Sequence, residues 1–120
     1  MGIIGHQILI DLIGVDTSIC LDSELWLNSF ESICMKYGFT VIDKNSHVFK
    51  NPQQPGLTAF LLLDSSHFSV HTYADQGIAA VDLFACTNLP LDNLVNDLLT
   101  ILKIPDKCVT DYQSFGRFLK

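Results

Sequence analysis

The segment DSSHFSVHTYAD, Asp64 to Asp75, places two serines beside two histidines four positions apart, with carboxylates at both ends. A serine hydroxyl is a weak nucleophile that must be activated, and an imidazole moves protons near neutral pH, so the stretch holds the parts for nucleophilic and acid–base chemistry. If it is a strand, alternation puts His67, Ser69, His71 and Tyr73 on one face and Phe68, Val70 and Thr72 on the other. The first face is polar and the second mostly apolar. A half-solvated strand with its histidines on the wet side would need no active site at all. A zinc site could draw on His67, His71 and Cys86 of a neighbouring strand, but the spacing fits no tight zinc signature and offers no obvious fourth ligand, so no metal is expected. A Ser–His–Asp hydrolase lacks the G-x-S-x-G elbow, and Ser66 has the opposite parity from His71 in an unbroken strand. That conflict vanishes if the backbone is bent or broken at Ser66.

The elements that must position these groups are legible from periodicity. QILIDLIGV, residues 7–15, is short and rich in β-branched residues, which favours a strand. Asp22 offers an N-cap for a helix over 23–37, with Trp26, Phe30, Ile33, Cys34 and Tyr37 on one face and Gly38 as its stop. FTVIDKNSHVFK, residues 39–50, reads as a strand with a turn near Lys44 and Asn45, and NPQQPG as a loop. Three strands follow over 57–64, 67–73 and 78–86. Pro90 opens a second helix with Leu91, Leu94, Val95, Leu98, Leu99 and Leu102 at helical spacing, Pro105 stops it, and 107–115 forms a last strand. Short hairpin connections imply an α+β fold: a two-layer α/β sandwich, largely antiparallel, with two helices on one face.

Length and charge narrow the function. The 120 residues suit a single domain, 1–120, and with 17% charged residues and a positive mean hydropathy the chain should fold and leave room for an oligomer interface. A net charge of −6 with seven scattered basic residues gives no footprint for a phosphate backbone, so no nucleic acid is expected and a cationic ligand fits better. The N-terminal MGIIGHQILIDLIGVD lacks a basic region and is interrupted by Asp11, so neither a signal peptide nor a membrane span is expected. Cys20, Cys34, Cys86 and Cys108 form no C-x-x-C pair and read as reduced thiols in a cytoplasmic protein.

SSHFSVHTYADQGIAAVDLFACT resembles the core of the small prokaryotic S-adenosylmethionine decarboxylases, pyruvoyl enzymes of spermidine and polyamine biosynthesis made as self-cleaving proenzymes. The resemblance is carried by Ser66, His67, Phe68, Val70, His71, Thr72, Tyr73, Asp75, Gly77, Ala79 to Asp82, Leu83, Phe84 and Cys86 at fixed spacing, and it extends more loosely from Gly5 to the second helix. It implies that the Ser66 hydroxyl attacks the carbonyl of Ser65, giving a β chain of 1–65 and an α chain of 66–120 whose first residue becomes a pyruvoyl group. That group would be the only cofactor, holding the substrate amine as a Schiff base while CO2 leaves. By the same resemblance His71 removes the α-proton during processing, Thr58 assists it, Cys86 is the proton donor in decarboxylation, and Phe49, Tyr73 and Asp75 bind S-adenosylmethionine. The expected assembly is a homodimer of αβ protomers with its sites near the protomer interface. Departures are also clear: Ser65 replaces a glutamate or lysine, Tyr73 a tryptophan, Asp75 a longer acid and Gln7 a histidine, and the loop KNPQQPG is longer. The alternatives are a decarboxylase of the same mechanism acting on ornithine or arginine, and an unprocessed, non-catalytic regulatory relative.

Overall fold

The computed structural model describes residues 5–118, so the first four residues of the N-terminal segment weighed above as a signal or span, and the last two of the chain, lie outside it. Six strands, β1 (Gly5–Leu12), β2 (Val41–Phe49), β3 (Gly56–Leu63), β4 (Ser66–Tyr73), β5 (Ile78–Ala85) and β6 (Val109–Arg117), form one sheet in the order β2-β3-β4-β5-β1-β6. Every pairing is antiparallel. Two long helices, α2 (Ser23–Tyr37) and α3 (Leu91–Leu102), pack through buried faces into the core; a short α1 (Thr17–Cys20), absent from the sequence reading, precedes them.

The helix ends follow local chemistry. The Leu25 N–H donates to the Asp22 carboxylate at 3.1 Å, and Gly38 takes φ 83° to close α2. α3 stops earlier than its proline implied, because Lys103 adopts the left-handed conformation and its N–H caps the last carbonyls. The turn expected near Lys44 and Asn45 does not form. β2 runs unbroken through both residues, which pair with Leu61 and Phe60 of β3, and the irregularity is a register shift between Val41 and Asp43.

Alternation divides the sheet. Ile8, Ile10, Leu57, Ala59, Leu61, Phe68, Val70, Val81 and Leu83 are buried with Trp26, Phe30, Ile33, Leu94, Leu98 and Leu102 in one core, where the Phe30 and Phe68 rings stack at 3.9 Å. Residues of the other parity form a face that none of these helices covers. It carries polar groups and three large apolar side chains in water: Phe60 at 39%, Leu62 at 43% and Phe115 at 46% exposure. No helix among the described residues is long and apolar enough to cross a membrane.

Candidate active site

The β3–β4 hairpin places the two serines. Its tip, Asp64 and Ser65, is tied to the α2–β2 connection by the Asp64 N–H donating to the Thr40 carbonyl at 2.9 Å. Ser66 opens β4 opposite Leu63. Ser65 is exposed, whereas the Ser66 Oγ is buried and has no hydrogen-bond partner among the described residues. A buried hydroxyl left unpaired costs roughly 1–3 kcal/mol; the Ser29 Oγ on α2 is in the same state. Of the two candidate serines, only Ser66 has a buried, unpartnered hydroxyl. The exposed Cys86 thiol, one position beyond β5, donates to the Ser65 carbonyl at 3.7 Å. Tyr37, Gly38, Phe39, Thr40, Leu63 and Thr87 line a cavity that opens at Ser65 and Cys86.

A second cluster lies towards the other end of β4. His71 stands opposite Thr58 of β3, and Thr58 Oγ1 lies 2.8 Å from His71 Nδ1. Phe49 stacks on the His71 ring with centroids 5.5 Å apart, and Tyr73 meets it edge-on at 4.8 Å. Gly56 makes the Phe49 position possible: a Cβ there would lie 2.7 Å from the Phe49 ring and 2.1 Å from the Thr72 carbonyl oxygen. Asp75 is exposed on the turn between β4 and β5 at this same end. Thr72, beside His71, turns inward instead; its hydroxyl donates to the Cys20 carbonyl at 2.7 Å and accepts from the Leu57 N–H at 3.0 Å, pinning β3 and β4 to α1.

The structure thus brings Ser65, Ser66 and Cys86 together, and separately Thr58, His71, Phe49 and Tyr73. It does not bring the two groups together. Ser66 and His71 are five positions apart on a straight strand, about 17 Å. The zinc trio is split in the same way, and among the described residues no three His, Cys, Asp or Glu side chains are grouped to hold a metal ion.

Between the clusters the bare face carries His67, stacked against Phe84 at 6.2 Å, and Asp82, whose carboxyl is raised above the usual range by burial and by Asp11 and lowered by His67. Arg117 lies over the other partner of this row, 5.7 Å from the Phe84 ring centre, and reaches the Gln7 side-chain oxygen at 3.4 Å. The involvement of the Tyr37–Thr40 connection at the serine turn escaped the sequence reading, because no local pattern encodes a contact across the fold.

A two-layer α+β sandwich whose uncovered sheet face carries histidines in an aromatic setting, with the Ser65–Ser66 turn and Cys86 at the sheet's end, has the layout of an enzyme that works at the open side of its sheet; β4 is continuous from Ser66, so the Ser66 side chain keeps the parity of Phe68, opposite to that of His71. Comparison with known proteins makes the class specific. The sequence profile of the S-adenosylmethionine decarboxylase family matches residues 6–113. The S-adenosylmethionine decarboxylase proenzyme of Caldanaerobacter subterraneus is 31% identical over 113 residues, 92% of this chain and 88% of that protein. The proenzyme of Brevibacillus brevis is 30% identical over 103 residues, covering 86% of this chain and 75% of its own length. The crystal structure of the adenosylmethionine decarboxylase from Aquifex aeolicus superimposes with a TM-score of 0.80 at 28% identity, over 100% of this chain and 95% of that one. The chain belongs to the S-adenosylmethionine decarboxylase family, whose self-processing, pyruvoyl-dependent character agrees with the resemblance drawn from residues 66–86.

Proposed function

We propose that this chain cuts itself between Ser65 and Ser66 and, as the resulting pair of chains, decarboxylates S-adenosylmethionine to the aminopropyl donor for spermidine synthesis. The observation that carries the reading is the buried, unpartnered Ser66 hydroxyl next to a Ser65 carbonyl that already accepts the Cys86 thiol. Attack of Ser66 Oγ on that carbonyl carbon moves the acyl group from nitrogen to oxygen. The carbonyl oxygen carries the developing negative charge, and the Cys86 S–H is aimed at it. A base then takes the Ser66 α-proton, the Ser66 Cβ–Oγ bond breaks to leave Ser65 as a carboxylate, and the dehydroalanine so formed tautomerises to an imine that water hydrolyses, releasing ammonia.

A pyruvoyl group fits the site, because the residue that would become it has an orphaned hydroxyl and no structural bond to lose. Its ketone supplies the electron sink for loss of CO2. The chain's own groups do the rest. Cys86 is left beside the reacting carbon as a proton donor once the Ser65 carbonyl has gone. In an assembly that brings the His71 cluster of a second copy to the Ser65–Ser66 turn, Phe49 and Tyr73 of that cluster offer rings to the adenine and to the sulfonium cation, and Asp75 can accept hydrogen bonds from ribose hydroxyls.

The gap of about 17 Å constrains the assembly. His71 and Thr58 lie too far along the strand to serve the serine of their own chain, whereas two copies stacked through their bare sheet faces, with β4 running in opposite senses, can bring His71 of one copy to the Ser65–Ser66 turn at the strand end of the other. The exposed Phe60, Leu62 and Phe115 on that face favour such a homodimer of αβ protomers. Cytoplasmic polyamine synthesis, without nucleic acid or membrane partners, is consistent with the charge pattern.

Intact-mass spectrometry tests the reading: purified protein should give two fragments of about 7 and 6 kDa, the smaller with a ketone at its start and refractory to Edman sequencing. Ser66→Ala should remain one chain. Wild-type protein that stays uncut for days would refute it. Release of CO2 from S-adenosylmethionine but not from ornithine or arginine separates the substrates.

A further inference from the structure

We propose that His47 is a positioning residue for self-cleavage: by accepting a hydrogen bond from the Thr58 hydroxyl, it sets the tautomer of His71. This rests on the reading of His71 as the processing base. His47 stands directly opposite Thr58 in the β2–β3 ladder, and His71 directly opposite Thr58 in the β3–β4 ladder. Residues paired in this way project to the same side of a sheet with Cβ atoms about 4.5–5.5 Å apart. The three side chains therefore form one row, His47–Thr58–His71, across the bare face. His47, Thr58, Asn45 and Phe60 line the same shallow groove there.

The chemistry of the row follows from proton counting. A neutral imidazole has one N–H and one lone pair, and the bond made by one nitrogen decides which form the other takes. His71 Nδ1 is 2.8 Å from Thr58 Oγ1. If the hydroxyl donates, the ring proton is on Nε2 and the outward nitrogen cannot act as a base. If Nδ1–H donates, Nε2 carries the lone pair, and the Thr58 hydrogen goes to water, since Thr58 is exposed in the single chain, or to a neighbouring side chain that holds it there once the bare face is covered. Among the described residues Thr58 Oγ1 has only the His71 bond, and the side chain across the strand on its other side is His47. Asn45 stands opposite Phe60, one row away. His47 is exposed and has no side-chain hydrogen bond among the described residues, so turning its ring to Thr58 forfeits nothing.

The test uses the full chain. In the uncleavable Ser66→Ala background, long-range proton–nitrogen NMR of the imidazoles should show His71 as the Nδ1–H tautomer, and adding His47→Phe should convert it to Nε2–H. In chains with Ser66 intact, His47→Phe should slow fragment formation at least tenfold, and His47→Gln, whose carbonyl can accept the same proton, should restore most of the rate. His47→Val gives a second variant without an acceptor, suited to an edge strand, should the phenylalanine disturb folding. An unchanged His71 tautomer together with wild-type processing in both acceptor-free variants overturns the proposal. His71→Ala separates the two levels: if it processes normally, the underlying reading of His71 fails, and if it is blocked while the His47 variants are not, only the present inference fails.

Discussion

Cys86 differs from the other three cysteines in its surroundings rather than in its chemistry. Cys20 and Cys34 are fully buried, and burial, reinforced by the Asp16 and Glu31 carboxylates respectively, pushes each thiol up to about 11. Cys108 is buried as well, while Cys86 is exposed. Because the thiolate is the reactive form, a native-state titration with a thiol reagent at pH 8 should count one group and the unfolded chain four; two or more fast native groups would contradict the burial pattern. Tyr37 gives a second residue-scale prediction. Its hydroxyl donates to Asp97 at 2.6 Å, and burial, followed by that bond and the carboxylate charge, pushes the phenol up to about 12, while Lys36 and Tyr37 hold Asp97 below the usual carboxylate range. A phenol raised in the folded state stabilises it fully below the unfolded value near 10, and this stabilisation is lost as pH rises through about 12. Tyr37→Phe should therefore lower the urea midpoint by the equivalent of about 0.5–1.5 kcal/mol, with a gap from wild type that is constant from pH 7 to 9 and closes above. The exposed Lys36–Asp97 pair contributes less, because solvent screens it.

At the scale of elements, the hairpins matter more than the helices. Gly56 begins β3 where the Thr72 carbonyl and the Phe49 ring leave no room for a Cβ, and the first of these is backbone that cannot yield. Gly56→Ala should cost at least the upper part of the about 1–3 kcal/mol typical of overpacking, measured by urea unfolding in the uncut Ser66→Ala background so that one transition is followed. It should also separate the Phe49 and His71 rings and so weaken substrate binding. Loss of the α2 cap in Asp22→Ala should cost about 1 kcal/mol and leave processing unchanged, since that end of the helix touches neither cluster. Equal damage to processing from both substitutions would mean that general stability, not the local arrangement, controls cleavage.

The whole molecule presents a sheet with one face finished and the other bare. If two copies share their reacting groups, Ser66→Ala and His71→Ala chains should each be inactive alone, yet co-expressed they should give mixed dimers in which one of the two sites is complete. Fragment formation by the His71→Ala chain in the mixture is the expected signature, and its absence, with dimers verified, would confine each site to one chain. Leu62→Lys, a charge placed on the bare face at a position 43% exposed in the single chain, should shift sedimentation from dimer to monomer and abolish cleavage while retaining helix content. A like result from Met35→Lys, at an exposed position on α2 in the other layer, would instead argue for non-specific disruption.

Much of this protein was written locally. The bounds of α2 follow from Asp22 and Gly38 because a cap and a left-handed stop act within one turn, and the faces of β4 follow from alternation at any point along a strand. The order of residues 66–86 was enough to carry the family resemblance. The turn expected at Lys44 and Asn45 was misread because pairing with β3 outweighed local turn preference, and α1 was too short to produce a periodic signal. Which groups meet was beyond the sequence altogether. The approach of Thr40 to Asp64, the pairing of Thr58 with His71 and the contact of Cys86 with the Ser65 carbonyl depend on strand register, a property of two segments at once. The distance that keeps Ser66 from His71 is set differently, by an extended backbone that lengthens by a fixed step at every residue, and no packing of the chain on itself shortens it while β4 stays a strand.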